Sequence, residues 1–175
     1  VPCAVAVIPS TDIEDRRGVD WWVERSVGDR LGVDVKVRAV DYAERGEDDL
    51  ALEIWSVIEE RIAGWTMDAA KQTDLVLWCW LPTGRHCLLP FPPLRRAMIA
   101  NAAAWEAAYR TADQQTDGRY HSRCVYVPRR VVLLAMHADG PVGCPGWVAL
   151  PGLTYCEDHR PRFGADPHRR YDRRT

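Results

Sequence analysis

Apolar and polar residues along the chain form two recurring patterns, which predict strands and helices in turn. Residues 3–8 are a short apolar run, which predicts a buried strand, and residues 33–40 alternate between apolar and polar positions, which also predicts a strand. Between them, residues 15–31 carry valines and a leucine at a spacing of four, which predicts a helix with one apolar face. The chain is therefore predicted to begin as strand, helix and strand.

The same patterns continue through the middle of the chain. Residues 49–65 repeat apolar side chains at a spacing of four, and residues 94–110 place apolar side chains on one face after Pro93, so both are predicted helices. Residues 74–80 and 131–137 are apolar almost throughout, which is typical of strands buried on both faces. The order of elements is then β-α-β-α-β-α-β.

Alternation of strands with helices predicts an α/β fold. Its parallel sheet is expected to have four or five strands, with helices on both faces. Residues 139–175 are rich in proline, glycine and cysteine and end in a basic tail. The chain is therefore predicted to divide into an α/β domain at residues 1–138 and an irregular C-terminal segment.

Ligands of parallel α/β sheets bind outside the carboxyl ends of the strands. That rule selects three loops of this sequence, at residues 9–18, 81–93 and 137–147. No phosphate-binding P-loop, GxGxxG, HExxH or GxSxG motif occurs in the chain. The absence of these motifs weighs against nucleoside triphosphatases, Rossmann dehydrogenases, zinc proteases and α/β-hydrolases.

Composition narrows the class of protein further. The chain has 175 residues, 47% of them hydrophobic, and a formal net charge of −2, which excludes wholesale disorder and a polyanion binder. Eight tryptophans either fill a heavy core or line a site for a flat aromatic ligand. From Arg160 onward six arginines and two aspartates give a net charge of +4, so this tail either contacts nucleic acid, a membrane or an acidic partner, or is a solvated end.

The sequence contains neither an apolar run long enough for a transmembrane helix nor a recognisable signal peptide. We therefore expect a cytoplasmic protein without a membrane partner, whose six cysteines are reduced thiols or metal ligands.

The loop after the first strand has the residue types of a phosphate site. Ser10 and Thr11 supply hydroxyls, Arg16 and Arg17 supply guanidinium groups, and the N-terminus of the predicted helix supplies N–H groups. Three acidic residues in the same loop oppose an anion, so ordinary capping of the helix with exposed charges is the alternative.

Two stretches of the chain carry a resemblance to a known family. AVAVIPSTDIEDRRGVDWW, and later DLVLWCWLPTGRHCLLPFPPLRRAMIANAAAW, resemble the NADPH-dependent FMN reductase family in the order of strand, loop and helix. Pro82 stands at the position of a motif proline of that family, and Leu94-Arg95-Arg96-Ala97 at its helix start. The resemblance implies a flavodoxin-like three-layer sandwich.

The resemblance also implies a cofactor and an activity. FMN would bind with Ser10, Thr11, Arg16 or Arg17 at its phosphate, and the segment Pro82, Thr83, Gly84 and Arg85 would lie against its ring. The implied function is an FMN-dependent NAD(P)H oxidoreductase that acts on a small molecule, and the implied assembly is a homodimer.

A thiol and imidazole group near the C-terminus provides a possible metal site. Cys124, Cys144, Cys156 and His159 are ligand types of tetrahedral zinc, although the usual tight Cys-x2-Cys pair is missing. Because no Tyr-Asn pair follows Pro82, a non-catalytic binding or accessory protein that uses this segment is an alternative function. A nucleotide- or nucleoside-modifying enzyme on the same sheet is another.

Overall fold

Two β-sheets and three α-helices make up the part of the chain that the computed structural model describes, namely residues 4–116, 118–138, 147–150 and 153–156. In chain order the elements are β1 (Ala4–Pro9), α1 (Asp12–Arg16), β2 (Trp21–Arg25), β3 (Arg30–Arg38), a 3-10 turn (Ala43–Arg45), β4 (Asp49–Val57), β5 (Ile62–Ala63), β6 (Leu75–Trp80), β7 (Arg85–Pro90), α2 (Phe91–Ala108), β8 (Thr111–Thr116), β9 (Tyr120–Pro128), α3 (Arg129–Ala138), β10 (Trp147–Leu150) and β11 (Leu153–Cys156).

The larger sheet is mixed and mostly antiparallel. Five strands lie in the order β1-β2-β3-β6-β7, and the hairpin of β11 and β10 extends the sheet at β7. Only β3 with β6 and β7 with β11 run parallel among the described strands; the other neighbours in the sheet are antiparallel. The predicted parallel sheet, and with it the flavodoxin-like three-layer sandwich, is therefore wrong, because tight hairpins replace the helical crossovers that parallel strands need.

The smaller sheet has the order β5-β4-β9-β8 and is antiparallel throughout. Its strands β4 and β5 come from the connection between the parallel strands β3 and β6, where the sequence predicts a helix, and β8 and β9 follow α2. Leu52 of β4 and Val125 of β9 are partners in the ladder and are fully buried. They share one core with Trp78 of the larger sheet and with residues of α2 and α3 such as Met98 and Val132.

Two predicted helices are strands in the structure, and the reason is the same for both. A spacing of four residues fits one face of a helix, but it also fits one face of a strand, because four is a multiple of two. In residues 15–31, Gly28 adopts a positive φ of 84° and turns the chain between β2 and β3. In residues 49–65, Leu50, Leu52 and Ile54 are buried alternately, as in a strand.

One predicted strand is a helix. Residues 131–137 lie within α3, where Val132 and Met136 are fully buried one turn apart. Leu134 between them is 66% exposed, whereas a strand would place all three side chains on the same face.

Other predictions are confirmed. β1 and β6 are strands, and β6 lies inside the larger sheet between β3 and β7. The predicted burial of β1 is wrong, because β1 is an edge strand and most of its residues are exposed. α2 begins with Pro92 and Pro93 in its first turn, where the missing N–H groups have no helical partner to lose. The division of the chain at residue 138 stays a prediction, although β11 pairs with β7. Within the described residues, none of the helices has the length and apolar character needed to cross a bilayer.

The shared core predicts a contrast between two leucine variants. Leu52→Ala should lower the free energy of unfolding by about 2 to 5 kcal/mol, because it leaves a cavity in a fully buried position. Leu134→Ala, on the exposed face of α3, should change it by no more than about 0.5 kcal/mol. Denaturant unfolding of both variants measures the difference, and equal losses would contradict the described core.

Candidate functional site

A cleft of about 500 Å³ lies between the two sheets, and we name it the inter-sheet cleft. β3 and β6 of the larger sheet form one side and β9 of the smaller sheet forms the other. The residues that line it and matter for binding are three cations and three aromatic rings: Lys36, Arg38, Arg110, Trp65, Trp78 and Tyr126. Its volume is in the range of small-ligand sites.

The alternation of β3 places its charges on the face toward this cleft. Asp34, Lys36 and Arg38 occupy every second position and so share one face of the strand. By register they lie beside residues of β6, with Lys36 next to the fully buried Trp78. The smaller sheet lies over the same face, so these charges stand between two sheets.

Carboxylates hold the cations of the cleft in place. Lys36 Nζ lies 2.7 Å from a carboxylate oxygen of Asp34, whose side chain is buried. Arg38 Nη1 donates to the carboxylate of Asp49 at 2.8 Å, and Arg110 lies 3.7 Å from the second oxygen of the same carboxylate. Asp49 therefore contacts one cation from β3 and one from the connection between α2 and β8.

Aromatic rings add a second constraint on the same cations. The guanidinium carbon of Arg110 lies 3.8 Å from the centre of the Tyr126 ring, and that of Arg38 lies 5.4 Å from it. Lys36 Nζ lies 4.7 Å from the centre of the Trp65 ring. These distances are those of cation–π contacts, so the cleft combines fixed positive charge with flat apolar surface.

A glycine brings Trp65 to the cleft. The N–H of Gly64 donates to the carbonyl of Ile54 at 2.8 Å, and the N–H of Trp65 donates to the carboxylate of Glu53 at 3.0 Å. A Cβ at position 64 would lie 2.3 Å from the carbonyl oxygen of Glu53. The chain can pass this close to β4 only without a side chain.

Two ionisable groups near the cleft have displaced pKa values. Burial raises the pKa of Glu53, although the bond from Trp65 and the charge of Lys36 oppose the shift. Burial and then the charge of Glu53 raise the pKa of Cys124 to about 11. Cys124 is therefore a thiol at neutral pH, which is the wrong state for a nucleophile. Glu53 has the displaced pKa that is typical of a proton donor or acceptor in a site.

A second cleft, of about 470 Å³, adjoins the first, and we name it the loop cleft. Arg110 and Tyr126 line both clefts. The loop cleft adds Glu47 and Asp48 from the segment before β4, together with Tyr109 and Arg130.

Among the residues predicted to bind phosphate after β1, Thr11 forms the N-terminal cap of the short helix α1 together with Glu14. The N–H and hydroxyl of Thr11 both donate to the carboxylate of Glu14 at 2.8 Å, and these bonds lower the pKa of Glu14. Ser10 is half-buried, and Arg16 and Arg17 are exposed. The structure therefore shows the ordinary capping that was the alternative, and phosphate binding at this turn stays a prediction.

The residues predicted to lie against the flavin ring are in and just after the turn between β6 and β7. Pro82, Thr83 and Gly84 form the turn after β6, and Arg85 begins β7. The hydroxyl of Thr83 and the guanidinium of Arg85 both donate to Asp41.

The structure does not bring the two predicted halves of the flavin site together. Thr73, just before β6, donates to the carbonyl of Gly18, so the loop after β1 lies at the start of β6. The turn at residues 81–84 lies at its other end, about 20 Å away for a six-residue strand. Binding of FMN depended on the parallel fold, loses that support and stays a prediction.

The predicted zinc site is described only at Cys124. Cys144 and His159 lie outside the described residues, as does the side chain of Cys156 in β11. Among the described residues there is no group of three or more His, Cys, Asp or Glu side chains that could hold a metal ion. Zinc binding through the C-terminal segment therefore stays a prediction.

Sequence reasoning missed the residues that line the inter-sheet cleft. The alternation of residues 33–40 predicts a strand, and its charged positions could have indicated a polar face next to a second layer. Arg110 and Tyr126 carry no such signal, because they are distant from Lys36 in the sequence and meet it only in the folded chain.

Fold and site together describe a mixed α and β protein with a charged and aromatic cleft between two sheets. No protein-family model, no curated protein and no solved structure matches the chain. Its function therefore has to be inferred from the geometry of the cleft.

The raised pKa of Glu53 predicts a pH-dependent effect of Glu53→Gln. The folded state holds this proton more tightly than the unfolded state, so ionisation of Glu53 destabilises the wild-type protein as pH rises above the ordinary value of 4.5 through the raised pKa. Glutamine keeps an acceptor for the N–H of Trp65 but does not ionise. The free energy of unfolding of Glu53→Gln relative to wild type should therefore increase across that pH window.

Denaturant unfolding at a series of pH values measures this difference. Glu60→Gln is the matched control, because Glu60 is exposed in the turn after β4, and its difference from wild type should not follow the same profile. A relative stability of Glu53→Gln that falls with rising pH would show that Glu53 is held as a carboxylate by Lys36.

Proposed function

We propose that the protein binds a small anion with a planar heterocycle, of the nucleotide class, in the inter-sheet cleft. The observation that carries this proposal is the convergence of Lys36, Arg38 and Arg110 on a cleft with aromatic walls. A phosphate and a flat ring are the two chemical features that such a cleft accommodates at once.

Arg110 is the best placed of the three cations for a phosphate. Its side chain is 55% exposed, and its distance of 3.7 Å from Asp49 is longer than a hydrogen bond. Arg38 is bonded to Asp49 at 2.8 Å and is mostly buried, so it supports the cleft more than it reaches into it. A phosphate can therefore bind Arg110 without displacing a strong ion pair.

Stacking provides the place for the planar group. Tyr126 covers one face of the Arg110 guanidinium, and a planar ligand stacks on a guanidinium plane as it does on an aromatic ring. Trp65 is partly exposed and offers further ring surface next to Lys36, and the buried Trp78 supports it from behind. A heterocycle that binds between the guanidinium of Arg110 and the ring of Trp65 would therefore contact a flat group on each face.

FMN and NAD(P)H, which the sequence resemblance implies, both have this combination of phosphate and planar ring. The proposal therefore includes them as ligands, but at the inter-sheet cleft and without the flavodoxin-like fold. FMN and NAD(P)H are therefore among the nucleotides whose affinities for the protein are to be compared.

A second candidate function is catalysis on the bound nucleotide. Glu53 supports it, because its carboxyl is partly buried, has a raised pKa and lies close enough to Lys36 to be influenced by its charge. A carboxyl with a raised pKa is a better proton donor or acceptor for catalysis than an ordinary carboxylate. We also propose a cytoplasmic location, which the free thiols of Cys79, Cys87 and Cys124 support.

Binding should be detected by thermal shift and calorimetry with mononucleotides of each base, FMN and inorganic phosphate. Arg110→Ala should weaken the binding of the best mononucleotide by about 10- to 100-fold, because one charge-assisted contact contributes about 1.5–3 kcal/mol. The lost stack on Tyr126 adds to the effect.

Arg119→Ala is the matched control. Arg119 is an exposed arginine in the turn between β8 and β9 and makes no ion pair among the described residues. Its removal should leave the affinity unchanged. Failure of every nucleotide to bind, or equal affinities of wild type and Arg110→Ala, would refute the proposal.

A further inference from the structure

The inter-sheet cleft and the loop cleft meet at one cation. Arg110 and Tyr126 line both clefts, and their side chains are stacked at 3.8 Å. The two volumes, about 500 and 470 Å³, are each sufficient for a small-ligand group. An elongated ligand that occupies both clefts would contact Arg110 near its middle.

The charges of the loop cleft favour an anion next to Arg130. Asp48 is paired with Arg85 at 3.1 Å and with Arg129 at 2.7 Å, so arginines already neutralise this carboxylate. Arg130 is exposed and makes no ion pair among the described residues. Two further carboxylates line this cleft: Asp49 is paired with Arg38 at 2.8 Å, and Glu47 is the exposed opposing charge.

The loop cleft also has its own flat surface. Tyr109, at the end of α2, lines this cleft and is absent from the lining of the other one. Tyr126 contributes to both. Each cleft therefore combines at least one aromatic side chain with a cation of its own, Lys36 in the first and Arg130 in the second.

We propose that the ligand is a dinucleotide, that is, two heterocyclic groups joined through phosphate. The bridging phosphate binds Arg110, one heterocycle lies in the inter-sheet cleft, and the second lies in the loop cleft beside Tyr109 and Arg130. This inference rests on the proposed function and extends it, because nucleotide binding by the first cleft does not require the second.

A long nucleic acid strand is disfavoured by the charge of the molecule. The chain has a net charge of −2, and Glu47 borders the loop cleft, whereas a strand needs a continuous cationic track. Three kinds of dinucleotide share the proposed chemistry: those joined by pyrophosphate, as in NADPH, linear ones joined by a phosphodiester, and cyclic ones.

The experiment compares the Kd of a mononucleotide with that of each kind of dinucleotide, by calorimetry on the whole chain. Occupation of both clefts should make the best dinucleotide bind at least about tenfold more tightly than its component mononucleotide. Arg130→Gln should raise the Kd of that dinucleotide about tenfold, because it removes a charged contact. Glu47→Gln should lower the same Kd, because it removes an opposing charge.

Neither variant should change the Kd of the mononucleotide, since neither residue lines the inter-sheet cleft. Both positions are exposed, so the variants are expected to fold. Dinucleotides that bind no more tightly than mononucleotides, or that ignore both substitutions, would overturn this inference and leave the proposed function intact. Absence of mononucleotide binding would instead refute the proposed function.

Discussion

The ion pair between Arg38 and Asp49 determines how the two sheets meet at the cleft. Arg38 belongs to β3 of the larger sheet and Asp49 begins β4 of the smaller one, and their side chains are 17% and 13% exposed. Because both charges are mostly withdrawn from water, either one alone would be a costly unpaired charge. The pair therefore links the two sheets at the cleft, next to the core that they share, and Asp49 also contacts Arg110.

A second group of charges holds the connection that leads from β3 to β4. Asp41 and Asp48 from this connection both bind Arg85, and Asp48 also binds Arg129 at the start of α3. The N–H of Arg129 in turn donates to the carbonyl of Asp48. The connection is thus tied to β7 and to α3. Its residues that line the two clefts are therefore positioned in the absence of a ligand, which reduces the ordering required on binding.

Elements with an unambiguous local pattern could be predicted from the sequence, and those with an ambiguous one could not. α2 follows prolines that suit its first turn, so its type could be predicted. The same apolar pattern predicts a strand both at β6, which is a strand, and at residues 131–137, which belong to a helix. The spacing of four in residues 15–31 and 49–65 fits both a helix and a strand. Only the pairing of these segments with distant strands decides between the two structures. The candidate site was harder, because Lys36, Arg110 and Tyr126 come from three separate segments. Around Thr11 the hydroxyl and guanidinium groups predict an anion site, whereas the bonds that Thr11 makes to the carboxylate of Glu14 depend on the local geometry of α1.

Gly64 has a consequence for the evolution of this protein. The carbonyl of Glu53 occupies the space that any side chain at position 64 would need, and the adjacent Trp65 reaches Lys36 only because the backbone passes so closely. A homologous sequence that retains glycine here can keep the same wall of the cleft even after its charged residues have diverged. In a homologue with a larger residue at this position, the backbone has to follow a different path. The residue at position 64 therefore distinguishes homologues that can keep this wall of the cleft from those that cannot.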